Sequence, residues 1–152
     1  MEAERPGIIW GEAIKHFLGL DVGERRIGVA VGDSAGIVVT PLPAIQRSGL
    51  EEDFKSVVRL TEEHQAKAVV VGIPISLNGR MGPQARLVLR FIQDLARWSP
   101  VPVYSQDERF STVEAERLLR EGGHQPSREK SLRDSASAAV ILRAYLERRR
   151  SL

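Results

Sequence analysis

The sequence predicts an α/β domain built on a five-stranded mixed sheet with helices on its faces. Three extended segments follow one another closely near the start of the chain, and helical and extended segments then alternate. Because right-handed crossovers place the fourth strand beside the first and the fifth beyond it, the predicted strand order is 3-2-1-4-5. A single domain is expected over residues 17–150, with residues 1–16 as an N-terminal extension, since 152 residues suit one hydrophobic core.

The strands are predicted from their patterns of apolar residues. The segments FLGLDV at 17–22 and IGVAVGD at 27–33 alternate with period two around a short turn, so they predict a β-hairpin. The third strand, at 37–45, contains two prolines that suit the edge of a sheet. The fourth, at 67–73, is nearly all apolar, as in strands covered on both faces. The fifth is predicted at 101–107.

Four helices are predicted between and after these strands. Ser-x-x-Glu capping boxes at 48–51 and 111–114 predict two helix starts, and the second of these helices reaches Glu121. Residues 83–97 carry the apolar stripe of an amphipathic helix. The last helix is predicted from about 131 to 148.

The composition excludes several classes of protein. There is no cysteine, so disulfide bonds and thiolate metal sites are excluded. No apolar run approaches the roughly 18 residues of a membrane span, and the N-terminus lacks the pattern of a secretory signal. A cytoplasmic protein without membrane association is therefore expected. The net charge of +2 does not by itself indicate a nucleic-acid partner, and the many arginines fit either phosphate binding or a GC-rich genome.

Asp21 is the strongest candidate site residue. It lies in the middle of the predicted central strand, where an unpaired carboxylate has a large desolvation cost. Gly19 and Gly23 flank it, and Gly28 and Ala30 stand on the neighbouring strand. The sequence therefore predicts open space beside the carboxylate, where a ligand or backbone can approach. The alternative is a structural role in which Asp21 accepts hydrogen bonds from turn amides.

Two further acids are expected at the same edge of the sheet. Glu108 follows the fifth strand, at the carboxyl end where ligands gather in open sheets, although a solvated turn with an ion pair to Arg109 is an equal alternative. Asp134 lies on the apolar stripe of the last helix, and small residues at 135–139 let that helix lie close to the sheet. Its alternative role is the third residue of a capping box headed by Ser131.

Three acids on three separate elements indicate a metal site. Carboxylates that converge repel one another unless a cation holds them. Oxygen ligands without cysteine or histidine suit Mg²⁺ or Mn²⁺. A pair of such ions can activate water and stabilise the leaving oxygen in phosphodiester hydrolysis. We therefore expect metal-dependent nuclease chemistry at Asp21, Glu108 and Asp134.

Four segments of the chain resemble the YqgF/RuvX family of Holliday-junction-resolvase-like proteins. They are GLDVGERRIGVAVGD at 19–33, VVGIPISLNGRMGPQA at 70–85, DERFSTVEAERLL at 107–119 and DSASAAVILRAYL at 134–146. Together they cover nearly all of residues 17–147. The resemblance implies a ribonuclease-H-like fold and a bacterial cytoplasmic nuclease. The implied role is 5′-end processing of precursor 16S rRNA or cleavage of four-way DNA junctions.

The resemblance also implies roles for individual residues. The family's acids fall on Asp21, Glu108 and Asp134, as catalytic residues and metal ligands. The residues expected to contact nucleic acid are Gly23, Arg25, Arg26, Arg80, Arg109, Arg128 and Lys130. The chain departs from the family in its first 16 residues, which have no counterpart, and in the loop GGHQPSREK, which is less basic than usual.

Two other classes of function stay open. One is a non-catalytic module that keeps the fold to dock onto ribosomal RNA or another protein. The other is a lobe of an actin-like ATPase or sugar kinase, because the hairpin at 19–33 also resembles the phosphate-gripping hairpin of that superfamily. The choice between RNA and DNA and the oligomeric state are open as well, and a resolvase role would need a two-fold homodimer.

Overall fold

The computed structural model describes residues 14–35, 38–76, 78–108 and 130–150, the last range without the side chains of 130–133 and 150. The strands are β1 (His16–Val22), β2 (Arg26–Asp33), β3 (Val39–Gln46), β4 (Ala66–Ile73) and β5 (Val103–Asp107). The helices are α1 (Leu50–Glu63), α2 (Pro83–Trp98) and α3 (Lys130–Arg150). These bounds lie within two residues of those predicted, and the helix predicted from residue 111 lies outside the described ranges. None of the described helices has the length and apolar character needed to cross a bilayer.

The five strands form one sheet in the order β3-β2-β1-β4-β5, which confirms the predicted topology. The first three strands pair antiparallel as a meander, whereas β1, β4 and β5 run parallel to one another. The proline-containing strand β3 lies at an edge, where the missing N–H donors of Pro41 and Pro43 are tolerated. β1 therefore lies at the centre, and its carboxyl end is flanked by β2 and β4.

Side chains alternate between the two faces of β1, and each face has its own hydrophobic core. Leu18, Leu20 and Val22 contribute to the core on the side of α1 and α2. Phe17 contributes to the second core, on the side of α3. Because alternate residues of a strand share a face, Asp21 lies with Phe17 on the α3 side. β4 has buried side chains on both of its faces, as its apolar sequence predicts.

Glycines on β1 and β2 let α3 lie directly on the sheet. A Cβ atom added at Gly28 would come within 2.0 Å of the carbonyl oxygen of Asp134, and one added at Gly19 within 2.8 Å of the Leu142 Cβ atom. Of the two groups predicted to approach beside Asp21, a ligand or a backbone, it is the backbone of α3 that lies against these two glycines. The backbone and side chains of α3 fill that space, because a helix of small residues can approach closely.

Ser135 fastens the start of α3 to an irregular point in the sheet. The β2–β3 register shifts between Ile27 and Val29, which interrupts the regular ladder of hydrogen bonds. The buried Ser135 hydroxyl accepts a hydrogen bond from the Val29 amide at 3.1 Å and donates one to the Leu42 carbonyl at 2.5 Å. One side chain thus satisfies groups on both strands and fixes the helical turn that carries the neighbouring Asp134.

The capping box predicted for α1 is wrong. The N-cap is Gly49, and no side chain caps the helix there. Instead Asp53, only 1% exposed, accepts hydrogen bonds from the Ser48 amide at 3.0 Å and from Arg47 Nε at 2.9 Å. A carboxylate in the first helical turn, paired with an arginine, satisfies the helix start in place of the predicted Ser–Glu pair.

Candidate active site

Asp21 lies near the carboxyl end of the central strand, between two glycines. Gly28 of β2 is its direct partner in the antiparallel register. The parallel register of β1 and β4, continued by one pair beyond Leu20, brings Gly72 next to it on the other side. Both neighbours of the carboxylate on the adjoining strands therefore lack a side chain.

The space that these glycines leave is taken by the elements carrying the other two acids. At Gly28 it is occupied by the α3 backbone at Asp134. At Gly72 a Cβ atom would lie only 2.3 Å from Glu108 Oε2 and 2.4 Å from Ile141 Cδ1. The fold thus brings Glu108 and Asp134 to the two sides of Asp21, as the position of each residue in the predicted sheet suggested.

The electrostatic environment of Asp21 favours its neutral form. The side chain is half-buried, and burial raises its pKa to about 6, with a further contribution from the negative charge of Asp134. A carboxylate in this position gains most from a cation, because a cation offsets both the lost hydration and the repulsion from its neighbour.

Glu108 is also half-buried, and its carboxylate has negatively charged neighbours. Its backbone amide donates to the Ile73 carbonyl at 3.1 Å, which ties the residue to the end of β4. Burial, together with the negative charges of Asp21 and Asp107, raises the pKa of Glu108 to about 8. Its Oε2 atom is buried and has no hydrogen-bond partner among the described residues. The burial of this oxygen argues against a fully solvated turn, and the predicted ion-pair partner Arg109 lies outside the described residues.

Asp134 differs from the other two acids in having a cationic partner. Arg26 Nε donates a hydrogen bond to Asp134 Oδ2 at 2.7 Å, with side chains that are 25% and 32% exposed, respectively. α3 begins at Lys130, so Ser131 lies inside the helix and not at its N-cap. This placement argues against the capping-box alternative and leaves the carboxylate directed to the sheet.

The three acids lie near one another without forming a complete metal-binding cage. Asp21 is coupled electrostatically to both Asp134 and Glu108. Across the described ranges, however, no three acidic or histidine side chains are close enough to make a ready-made metal-binding group. The donor set itself fits a hard divalent ion, because it offers carboxylate oxygens, one of them buried and without a partner among the residues described. Asp21, Glu108 and Asp134 are thus the residues that could hold Mg²⁺ or Mn²⁺.

The hairpin turn after Asp21 is held by backbone contacts. The Gly23 amide donates to the Arg26 carbonyl at 2.9 Å, and the Gly23 carbonyl accepts from Arg47 Nη1 at 2.8 Å. Arg25 is exposed at the tip of the turn. Of the predicted nucleic-acid contacts in this turn, Arg25 faces solvent, whereas Arg26 is turned inward to Asp134.

The loop after β4 presents Arg80 on a compact turn. The Arg80 amide donates to the Ser76 hydroxyl at 3.2 Å and to Asn78 Oδ1 at 3.0 Å, and the Ser76 amide donates to the Arg80 carbonyl at 3.0 Å. The Arg80 side chain is exposed. The loop leaves β4 at its carboxyl end, so Arg80 belongs to the same edge of the sheet as the acids. Of the other predicted contacts, Arg109, Arg128 and the Lys130 side chain lie outside the described residues.

Gly72 is the site residue that sequence reasoning missed. Its position inside the apolar run of β4 suggested only a buried strand. A glycine that interrupts a β-branched run is the available signal, because it marks a close approach of another group. A cavity of about 220 Å³ between α2 and the turn that joins β1 to β2, with Leu50, Leu87 and Phe91 in its lining, was also not predicted, and none of the three acids lines it.

Comparison with known proteins assigns the family. The RuvX family model, described as Holliday junction resolvase, matches residues 15–148. The chain belongs to the RuvX family. A relative from Chloroflexus aurantiacus is 42% identical over 135 residues, which are 89% of this chain and 88% of that protein. One from Synechococcus sp. (strain JA-3-3Ab) is 47% identical over 133 residues, 88% and 84% of the two chains. Both are named "Putative pre-16S rRNA nuclease". The predicted family and nuclease function are thereby confirmed.

Solved structures agree with the fold of this RuvX chain. RuvC of T. thermophilus in complex with a Holliday junction substrate has a TM-score of 0.57 at 17% identity, covering 90% of this chain and 96% of that one. The fowlpox virus Holliday junction resolvase has a TM-score of 0.55 at 13% identity, covering 88% and 99%. The ribonuclease-H-like fold is therefore confirmed.

Proposed function

We propose that this RuvX protein is a divalent-metal-dependent nuclease whose ion is held by Asp21, Glu108 and Asp134. The observation that carries the proposal is the buried Oε2 atom of Glu108, which has no partner among the described residues and lies against Gly72 on the strand next to that of Asp21. Mg²⁺ or Mn²⁺ would satisfy that atom. When bound, such an ion supplies a nucleophile from water and stabilises charge on the phosphate.

The protein's own groups prepare the site for such an ion. Because the pKa of Glu108 is about 8, this carboxyl holds a proton near neutral pH in the metal-free protein. Asp21, with a pKa of about 6, is largely charged under the same conditions. A divalent ion would displace the Glu108 proton and balance the charge on Asp21. Ion binding and proton release are therefore expected to be coupled.

The proposed substrate is structured nucleic acid, with the 5′ end of precursor 16S rRNA as the first candidate. The names of the relatives support this choice. Arg25 and Arg80 are exposed and would neutralise backbone phosphates, giving salt-sensitive binding without sequence readout. We place this activity in the cytoplasm. A four-way DNA junction is the second candidate, favoured by the family's description, and would require a two-fold homodimer.

A cleavage assay on matched substrates tests the proposal. Precursor 16S rRNA ends, four-way DNA junctions and single strands would be incubated with Mg²⁺ or Mn²⁺ and with wild-type protein, Asp21→Asn or Glu62→Gln. Asp21→Asn should lower the cleavage rate by about 10³-fold or more, because the group acts as part of a catalytic unit, and leave substrate binding intact. Glu62, exposed on α1, is the matched control and should cleave like wild type.

Three outcomes would contradict the proposal in different ways. Wild-type activity in Asp21→Asn would refute the metal assignment. Binding of the rRNA without cleavage under either ion would favour the non-catalytic module. Nucleotide hydrolysis in the absence of nucleic acid would favour the ATPase alternative.

A further inference from the structure

The ion pair between Arg26 and Asp134 joins two distant parts of the chain inside the proposed metal site. Arg26 begins β2 and Asp134 lies in the first turns of α3, 108 residues later. The Nε–Oδ2 distance of 2.7 Å is that of a strong charge-assisted hydrogen bond. Both side chains are mostly shielded from solvent, so the contact is a defined part of the site and not a fluctuating surface pair.

The three acids differ in whether a cationic side chain pairs with them. Within the described ranges, Asp134 is the one with a salt bridge, and none is found for Asp21 or Glu108. Glu108 even keeps a buried oxygen that has no hydrogen-bond partner in the part of the chain that the structure describes. The described acids also stop short of forming a three-ligand group. At Asp134, Arg26 thus takes the place of the divalent ion that this carboxylate would share with Asp21 and Glu108.

We propose that Arg26 is a resident counter-ion of the carboxylate cluster, which a divalent metal must displace from Asp134. The inference rests on the proposed function, because it concerns the same metal site. A guanidinium and a divalent ion compete for one carboxylate, and they repel each other at the short distances involved. Arg26 therefore weakens metal binding by the free protein.

Displacement also gives Arg26 a second use. The guanidinium has a planar fork of N–H donors that matches phosphate oxygens, and only Nε is engaged with Asp134. Once the metal holds Asp134, the fork becomes available to a phosphate of the substrate. Metal and phosphate then favour each other's binding, and the effect is reciprocal by thermodynamic necessity. The site would remain weakly metallated until its substrate arrives.

Two other roles for Arg26 predict different results. If Arg26 supports Asp134 through Oδ2 while a metal binds Oδ1, its removal should weaken metal binding. If it serves only as a phosphate contact, its removal should leave metal binding in the absence of nucleic acid unchanged. The sign of the change in metal affinity therefore separates all three roles.

The test is a calorimetric titration of Mn²⁺ into the full chain without nucleic acid. We compare wild type with Arg26→Gln, Arg26→Lys and the control Arg25→Gln, which removes the adjacent exposed arginine of the same turn. Arg26→Gln should bind Mn²⁺ about tenfold more tightly, equivalent to about 1.4 kcal/mol. Arg26→Lys should bind with intermediate affinity. Arg25→Gln should stay within about twofold of wild type, since screening weakens an exposed charge.

A second measurement follows metal binding by the wild-type protein and uses a variant only to assign a resonance. The Arg26 Nε–H resonance of ¹⁵N-labelled wild type, assigned by its absence in Arg26→Lys, should shift when Mg²⁺ is added. A resonance that does not move while the protein binds the ion would overturn the inference. Weaker or unchanged Mn²⁺ binding by Arg26→Gln would do the same.

Failure of the inference can be told apart from failure of the proposed function. If wild type binds no Mn²⁺, or if Asp21→Asn binds it as tightly as wild type, the metal site itself is wrong. If wild type binds Mn²⁺ in an Asp21-dependent way and Arg26→Gln does not bind it more tightly, only the counter-ion role is wrong.

Discussion

Gly72 leaves the space that the Glu108 carboxylate occupies, so Gly72→Ala tests how the site is built without touching an acid. The new Cβ atom would lie 2.3 Å from Glu108 Oε2 and 2.4 Å from Ile141 Cδ1, both shorter than the contacts that Cβ atoms make in folded proteins. Both contacts are with the ends of flexible side chains. The backbone of β4 can therefore stay in place while Glu108 and Ile141 move away.

The magnitude of the effect follows from these distances. Restoring an ordinary separation requires the Glu108 carboxylate to move by about 1 Å or more, and a displacement of that size at a reacting centre typically lowers the rate about 100-fold. Overpacking against Ile141 should lower the free energy of unfolding by about 1–3 kcal/mol. Activity should thus fall far more than stability can explain.

The assay is a cleavage time course paired with urea denaturation for each variant. Gly32→Ala is the matched control: its Cβ atom would lie 3.0–3.2 Å from Val39, Leu142 and Leu146, on the same face but away from the acids. It should cost some stability and keep full activity. Adding Ile141→Val to Gly72→Ala should recover stability but not activity, because the clash with Glu108 remains. A folded Gly72→Ala protein that cleaves at the wild-type rate would refute this account of the site.

Two further predictions concern stability. In the metal-free protein, the folded-state pKa values of Asp21 (about 6) and Glu108 (about 8) lie above their unfolded values, so the folded state keeps protons that the unfolded state loses. The free energy of unfolding should therefore fall as the pH rises from 5 to 8.5, as measured by thermal unfolding. Glu108→Gln should make this fall smaller, and a free energy of unfolding that rises with pH would contradict the pKa shifts. Ser135→Ala leaves the Val29 amide and the Leu42 carbonyl without this hydrogen-bond partner. It should lower the free energy of unfolding, measured by urea denaturation, by about 1–3 kcal/mol. A loss below about 0.5 kcal/mol would mean that other groups satisfy them.

The sheet topology could be predicted from the sequence because its determinants are local and general. Period-two alternation identifies the hairpin strands, and the handedness of crossovers places the fourth strand beside the first. Asp21 could be identified for the same reason. A carboxylate in the middle of a central strand is unusual, and the strand pattern alone reveals it. These inferences needed no knowledge of which side chains touch.

The rest of the site depends on contacts between residues that are far apart in the chain. Nothing in the sequence near Arg26 indicates that its partner is Asp134, 108 residues away. The space at Gly28 was predicted to admit a ligand or a backbone, and only the docking of α3 shows that the backbone of this helix occupies it. The capping box at Ser48 failed for a related reason. Asp53 pairs with Arg47, which lies before the start of the helix, and accepts a hydrogen bond from the Ser48 amide in place of the predicted Ser–Glu contacts.

The two ends of the described chain meet at this site, and that has a consequence for the timing of synthesis. Translation is slow compared with local folding, and chains emerge N-terminus first. A nascent chain carrying β1 and β2 already has Asp21, yet it lacks Asp134 and the helix that docks at Gly28. For a nuclease whose proposed substrate is ribosomal RNA, the chain would stay inert beside the ribosome that makes it until its last helix has been added.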